Sequence, residues 1–201
     1  MPPVFVYNDS GDMMFNKAES ENQILEYCAV SGSLSPLDMA RELMAKGVVR
    51  LHGPEHHFLT AAVLSAAWYK RRGEDPRPHL EKLKERCTKI APAVCGYYGV
   101  CGDSMGAGAF LSEVLEVNYL SEESWAILNK FTGRVQSAIG ASCERGPRCC
   151  KRTSFAAILA AAEAVKELLG VELEDCSRVY CGFYMKNRQC VKYDCVFYPP
   201  V

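Results

Sequence analysis

The chain has 201 residues, 49% of them hydrophobic and 23% charged, with 23 Lys and Arg against 24 Asp and Glu for a net charge of -1. That length and balance describe one folded soluble domain with a core of its own and exclude a disordered or collagen-like chain. They also give no overall basic excess of the kind that marks a nucleic-acid or membrane-surface binder, so neither partner is expected.

In chain order, residues 1–34 read as a short extended and irregular segment: Val4 to Tyr7 extended, a turn at Asn8 to Gly11, then a polar stretch to Ser33. A helical core domain is expected over 35–170. Ser35 as N-cap, Pro36 at the first helical position and a stop at Gly47 frame a helix over about 35–46. A second helix, about 55–72, is apolar on nearly every face from Phe58 to Trp68 and should be central. Pro76 and Pro78 open a third that runs to about Lys89 and carries Leu80, Leu83 and Cys87 as a narrow stripe. After the glycine-punctuated stretch from Ile90 to Gly102, a small-residue helix follows Asp103 to about Val117. Its glycines imply close backbone approach, inside the chain or across a dimer. A fifth helix starts at Ser121 and fades at Gly140, with Trp125, Leu128, Phe131, Val135 and Ile139 as its core stripe. The loop from Cys143 to Lys151 leads into an alanine-rich sixth helix, about Thr153 to Leu169, stopped by Gly170. Residues 171–201 form a cysteine-rich tail with short extended pieces around CGFY and VFYP, clamped onto the core. The fold class is mainly α, a compact bundle of about six helices.

The longest apolar run without Asp, Glu, Lys or Arg, His56 to Tyr69, has 14 residues, which suits a buried helix and falls short of a bilayer span. Eleven cysteines are the departure from ordinary composition. Met1-Pro-Pro-Val lacks the basic and then apolar pattern of a secretory signal, so the reducing cytoplasm is the expected compartment. An odd cysteine count fits a disulfide framework poorly, which leaves metal ligands, redox thiols or a nucleophile.

Cys95, Cys101, Cys149 and Cys150 lie just ahead of predicted helices, where unpaired backbone N–H groups and the helix dipole favour negative charge. Arg145, Arg148, Lys151 and Arg152 surround the second pair and would lower a thiol pKa further. Thiolates are therefore expected there, and Cys143, Cys190 and Cys195 join them as candidate metal ligands. Adjacent Cys149 and Cys150 should point apart. The tail set Cys181-x8-Cys190-x4-Cys195 completes the same site or makes its own. Cys28, Cys87 and Cys176 read as small apolar filler. His56 and His57, at the start of the central helix with Glu55 beside them to orient one ring, are candidates for moving protons; helix capping is the bland alternative. Asp103 and Glu144 stand as second-rank carboxylates.

The segments HGPEHHFLTAAVLSAA, CGYYGVCGDSMGAGAF, GPRCCKR and NRQC-x4-CVFYP together resemble an uncharacterised cysteine-rich family of anaerobic bacteria and methanogens, over about residues 37–199. That resemblance implies a cytoplasmic protein of an anaerobe, and a methyltransferase-like partner. More distantly, the order of helices and the pair Cys143-x6-Cys150, with Cys101 upstream, is similar to the iron–sulfur domain of L-serine dehydratases and L-cysteine desulfidases. This likeness implies a [4Fe–4S] cluster whose open iron acts as a Lewis acid.

Two functions are therefore expected in competition. One is an iron–sulfur protein of lyase or sulfur-transfer type, with its cluster between the starts of the 101–117 and 152–169 helices. It would act on a small anionic substrate held by Arg148, Lys151 or Arg152, with His56 or His57 moving a proton. The other is a zinc-stabilised binding module that serves a methyltransferase. A redox thiol couple at Cys149 and Cys150, or among the tail cysteines, is a third possibility.

Overall fold

The structure, a computed structural model, describes residues 5–7, 13–174 and 178–200. The expected turn at 8–11 and Cys176 lie outside them. Eight α-helices form the described body: α1 (Lys17–Val30), α2 (Pro36–Ala45), α3 (Glu55–Arg71), α4 (Arg77–Thr88), the short α5 (Val94–Tyr97), α6 (Gly102–Val114), α7 (Glu123–Ala141) and α8 (Cys150–Leu169). Ahead of them β1 (Phe5–Tyr7) and β2 (Met13–Phe15) pair antiparallel, Phe5 opposite Phe15. The mainly helical bundle is as expected. No helix among the described residues is long and apolar enough to cross a membrane.

The axis is α3, buried from Glu55 to Tyr69 on every side but that of His57. Its alanines at 61, 62, 66 and 67 leave room for neighbours to come close. The closest is α6, where a Cβ on Gly106 would stand 2.1 Å from the His57 carbonyl oxygen and one on Gly102 would stand 2.1 Å from the His57 ring. On its other side a Cβ at Gly108 would meet the Thr132 hydroxyl of α7 at 2.7 Å. The small-residue face is thus used inside the chain, with α6 wedged between α3 and α7. The hydrophobic core around this wedge includes Phe58, Phe110, Phe131 and Phe155, all fully buried.

The structure adds to and amends the sequence reading in four places. Residues 17–30, expected to be irregular, form α1: the Asn16 side chain caps it by accepting from the Glu19 amide (3.1 Å), and Ile24, Leu25 and Cys28 are buried. Their spacing covers little more than one turn, too short a stripe to stand out from its polar surroundings. Trp125, expected in the core, is 52% exposed, because it sits in the first turn of α7, beyond the edge of the body that Phe131, Val135 and Ile139 bury against. α8 begins at Cys150, not at Thr153, so Lys151 and Arg152 are helical residues and Cys149 is the N-cap. The tail is anchored by packing: Leu173, Val179 and Phe197 are buried, Phe197 lies edge-on to Phe155 (5.7 Å between ring centres), and the CGFY and VFYP segments form no strand, with two 3-10 turns, Tyr184–Lys186 and Lys192–Asp194, between or beside them.

Because the Gly106 contact is backbone to backbone, neither side can yield. Gly106→Ala is expected to destabilise the fold by about 1–3 kcal/mol. Gly133→Ala, on the exposed side of α7 with open space around it, should stabilise by about 0.5–1 kcal/mol. Urea unfolding of the two variants checks both signs.

Candidate functional site

The mouths of α6 and α8 meet at one buried carboxylate. Asp103, in the first turn of α6 and 1% exposed, accepts at Oδ1 from the hydroxyls of Thr60 (2.9 Å) and Ser154 (3.2 Å). At Oδ2 it accepts from Thr153 (2.5 Å) and faces the Cys101 thiol (3.7 Å). Burial nonetheless pushes its pKa up to about 6, against the pull of these donors.

The chain of bonds continues. Ser154 Oγ is 2.8 Å from His56 Nδ1, and His56 Nε2 is 2.9 Å from the Arg50 carbonyl oxygen. A carbonyl only accepts, so Nε2 carries the proton and Nδ1 of the neutral ring is bare. The single Ser154 hydroxyl proton then faces two acceptors, Nδ1 of His56 and Oδ1 of Asp103. The network is one proton short, and a proton entering at either end satisfies both contacts. Burial, with Lys151 nearby, lowers the His56 pKa to about 3, so the extra proton favours Asp103.

The other members of the expected proton-moving group are engaged elsewhere. The Glu55 carboxylate lies on Gly53, takes the Arg50 amide (2.9 Å) and pairs with the Arg50 guanidinium at 3.1 and 3.0 Å; it orients no histidine. His57 packs its ring on Gly102, its Nδ1 is buried without a hydrogen-bond partner, and burial lowers its pKa to about 4. Both rings are neutral near pH 7.

The thiols fall into two sets. Cys101, the N-cap of α6, and Cys150, the first residue of α8, flank Asp103. Burial and then the Asp103 charge raise both pKa values, that of Cys150 to about 12, so these are thiols, not the ionised sulfurs expected at helix mouths. The dipole's contribution is smaller than the cost of burying a charge beside a carboxylate. Cys149 turns the other way, as adjacency predicts, and meets the tail. Together with Cys181, Cys190 and Cys195 it lines a largely enclosed cavity of about 20 Å³, whose walls also carry Lys151 and Arg152.

The sulfurs of this second set are dressed with donors. The Phe183 amide donates to Cys181 (3.4 Å), the Lys192 amide to Cys190 (3.4 Å) and the Phe197 amide to Cys195, each from two residues downstream. The Asn187 side-chain amide donates to Cys149 (3.6 Å), while its oxygen is 3.3 Å from His52 Nε2. Lys151 is 2% exposed; its ammonium reaches only the Val49 carbonyl (3.4 Å) and the face of Phe183, and burial lowers its pKa to about 8. Arg152 donates to the Pro147 carbonyl (3.2 Å) and leaves its buried Nε without a partner.

Of the residues singled out in the sequence, Cys149, Cys190, Cys195, Lys151 and Arg152 are therefore brought together, and Cys181 joins them as a full member of the set. Cys95, in α5, and Cys101, Cys143 and Cys150 do not line the cavity. Cys143 bonds the Arg145 carbonyl (2.7 Å) at its edge, close enough to Cys195 to feel its charge. Among the described residues no three His, Cys, Asp or Glu side chains converge on a point that would hold one metal ion. His52 and Asn187, which open two of the segments that carry the family resemblance, are neighbours that the sequence did not single out as site residues.

Asp103→Asn keeps the shape and brings an N–H₂ group that can donate to Ser154. A carboxylate whose native pKa is raised from 3.8 to about 6 stabilises fully below 3.8 and loses that stability as pH rises through 6. The variant should accordingly be more stable than the parent by about 3 kcal/mol above pH 6.5, and this advantage should vanish below about pH 4. Chemical denaturation across pH 4–8 measures it; an unchanged difference over that range would contradict the burial account.

No curated protein and no solved structure matches the chain. A family model described as "Family of unknown function (DUF5714)" matches residues 24–198. That span takes in the second half of α1, every later helix of the body, both thiol sets and the tail anchors, and the chain belongs to this family of unknown function.

Proposed function

We propose that the protein is a metal–thiolate protein whose centre is bound by Cys149, Cys181, Cys190 and Cys195, and that this centre is of the iron–sulfur type. The observation that carries the reading is one cavity lined by four thiols from separate stretches of chain, three of them accepting an amide N–H from two residues downstream. Hydrogen bonds to sulfur lower the cost of holding thiolates and tune the centre they bind. Charge supports the same reading: four thiolates around a divalent ion or a [4Fe–4S]²⁺ core sum to a double negative charge, and Lys151 and Arg152 are two buried cations lining that cavity.

When bound, such a cluster supplies electron transfer or Lewis-acid chemistry. For the lyase or sulfur-transfer reading, Lys151 and Arg152 are the residues placed to hold a small anionic substrate, and Lys151 can release a proton near pH 8. His56 is turned towards Ser154 and Arg50 and takes no part in that cavity.

The second reading is a zinc-stabilised module that serves a methyltransferase-like partner, and the cavity volume favours it. About 20 Å³ is room for one water-sized body, hence for a single ion.

Protein purified without oxygen should contain iron and acid-labile sulfide in equal amounts and show a broad sulfur-to-iron charge-transfer band. Zinc without sulfide selects the second reading, and absence of both metals removes the two together. Cys181→Ser and Cys190→Ser should each weaken metal binding by about tenfold or more, whereas Cys95→Ser should leave it unchanged.

A further inference from the structure

The near-neutral total charge conceals a division. Residues 143–152 and 178–200 hold eight Lys and Arg against two Asp and Glu, which leaves fifteen against twenty-two in the rest of the chain. The two stretches form one surface. The Val196 amide donates to the Ser142 carbonyl (3.4 Å), Gly146 stands so close to Val191 that a Cβ would come within 2.3 Å of it, and both stretches line the thiol cavity.

The cations of this surface also differ from the others in their partners. Among the described residues none of Arg145, Arg148, Lys151, Arg152, Lys186, Arg188 and Lys192 forms an ion pair, whereas ten of the fifteen Lys and Arg elsewhere do. Lys151 and Arg152 face inward; Arg145, Arg148, Arg188 and Lys192 are exposed. Between them stand large apolar side chains open to solvent: Met185 is 82% exposed, Tyr193 72% and Val196 61%. Unpaired cations interleaved with Met and Tyr have the composition of a protein interface, where Arg, Met and aromatic residues are enriched.

We propose that this face is the docking surface for an acidic protein, seated over the mouth of the thiol cavity. The charge division selects that class of occupant. A nucleic-acid strand or an anionic bilayer extends past a patch of this size and would run onto the acidic remainder of the molecule. A folded partner with one acidic face matches the patch and is repelled elsewhere, so the same division orients the encounter and speeds it. The inference stands on charge and exposure and holds whichever metal the cavity takes.

The test uses the full chain, metal content measured on each preparation, and three probes: a fluorescent twenty-residue Glu-rich peptide, a twenty-nucleotide oligothymidylate of comparable charge, and vesicles of phosphatidylcholine with phosphatidylserine. The peptide is expected to bind at low salt and to weaken steeply as ionic strength shortens the screening length. The quadruple variant R145E/R148E/R188E/K192E, compared with the parent at equal metal content, should lose about tenfold or more of that affinity. The control K82E/K84E/K89E/K130E, on the other charged surfaces, should lose little. Failure of the peptide to bind, equal loss in both variants, or tighter binding of oligothymidylate or vesicles would overturn the proposal.

Discussion

A carboxylate at the centre of a helical bundle has to be held from several sides at once, and Asp103 is held from three. Its oxygens take hydroxyl donors from α3 through Thr60 and from α8 through Thr153 and Ser154, while α6 supplies Asp103 itself and the Cys101 thiol. An ionised group left there without donors would cost several kcal/mol, so any sliding of one helix against another is opposed by the loss of bonds to a buried charge. The glycines of α6 make the arrangement possible, because only a helix lacking Cβ atoms at 102 and 106 can lie this close to His57. Polar anchoring and close approach are thus two halves of one constraint.

That constraint fixes where α8 begins, and with it the direction of the two adjacent cysteines. Cys150 is drawn toward Asp103 and Gly53; Cys149, one residue earlier and still extended, is turned to the tail. The first sulfur sits beside a negative charge and keeps its proton. The second sits with three other sulfurs, four amide donors and two buried cations; burial raises the Cys181 and Cys195 thiols here too, while the amide donors and, for Cys195, Arg152 pull the other way.

The tail is what completes that side, and its own stability comes from packing. Leu173, Val179 and Phe197 reach into the core, and the Cys181 amide donates to the Phe197 carbonyl (2.7 Å), which ties the two ends of the tail together. Cys190 and Cys195 are then carried on turns between these anchors. The same folding of tail onto loop gathers the cations of both segments onto one face, so the thiol cavity and the basic surface have a common origin.

Much of the fold could be read from the chain itself. The Ser35 cap with its Asp38 amide, the stop at Gly47, the all-round apolar 55–71 helix and the Gly-Ala face of α6 are local patterns whose physics acts within a turn or two of helix. The small-residue contact was visible for the same reason. The short stripe of α1, the exposure of Trp125, the partition of the cysteines into two sets and the roles of His52 and Asn187 were decided only by tertiary structure. Each depends on which side of a helix faces which neighbour, and on how burial, dipole and nearby charge compete at a point in space, and neither quantity is carried by spacing along the chain.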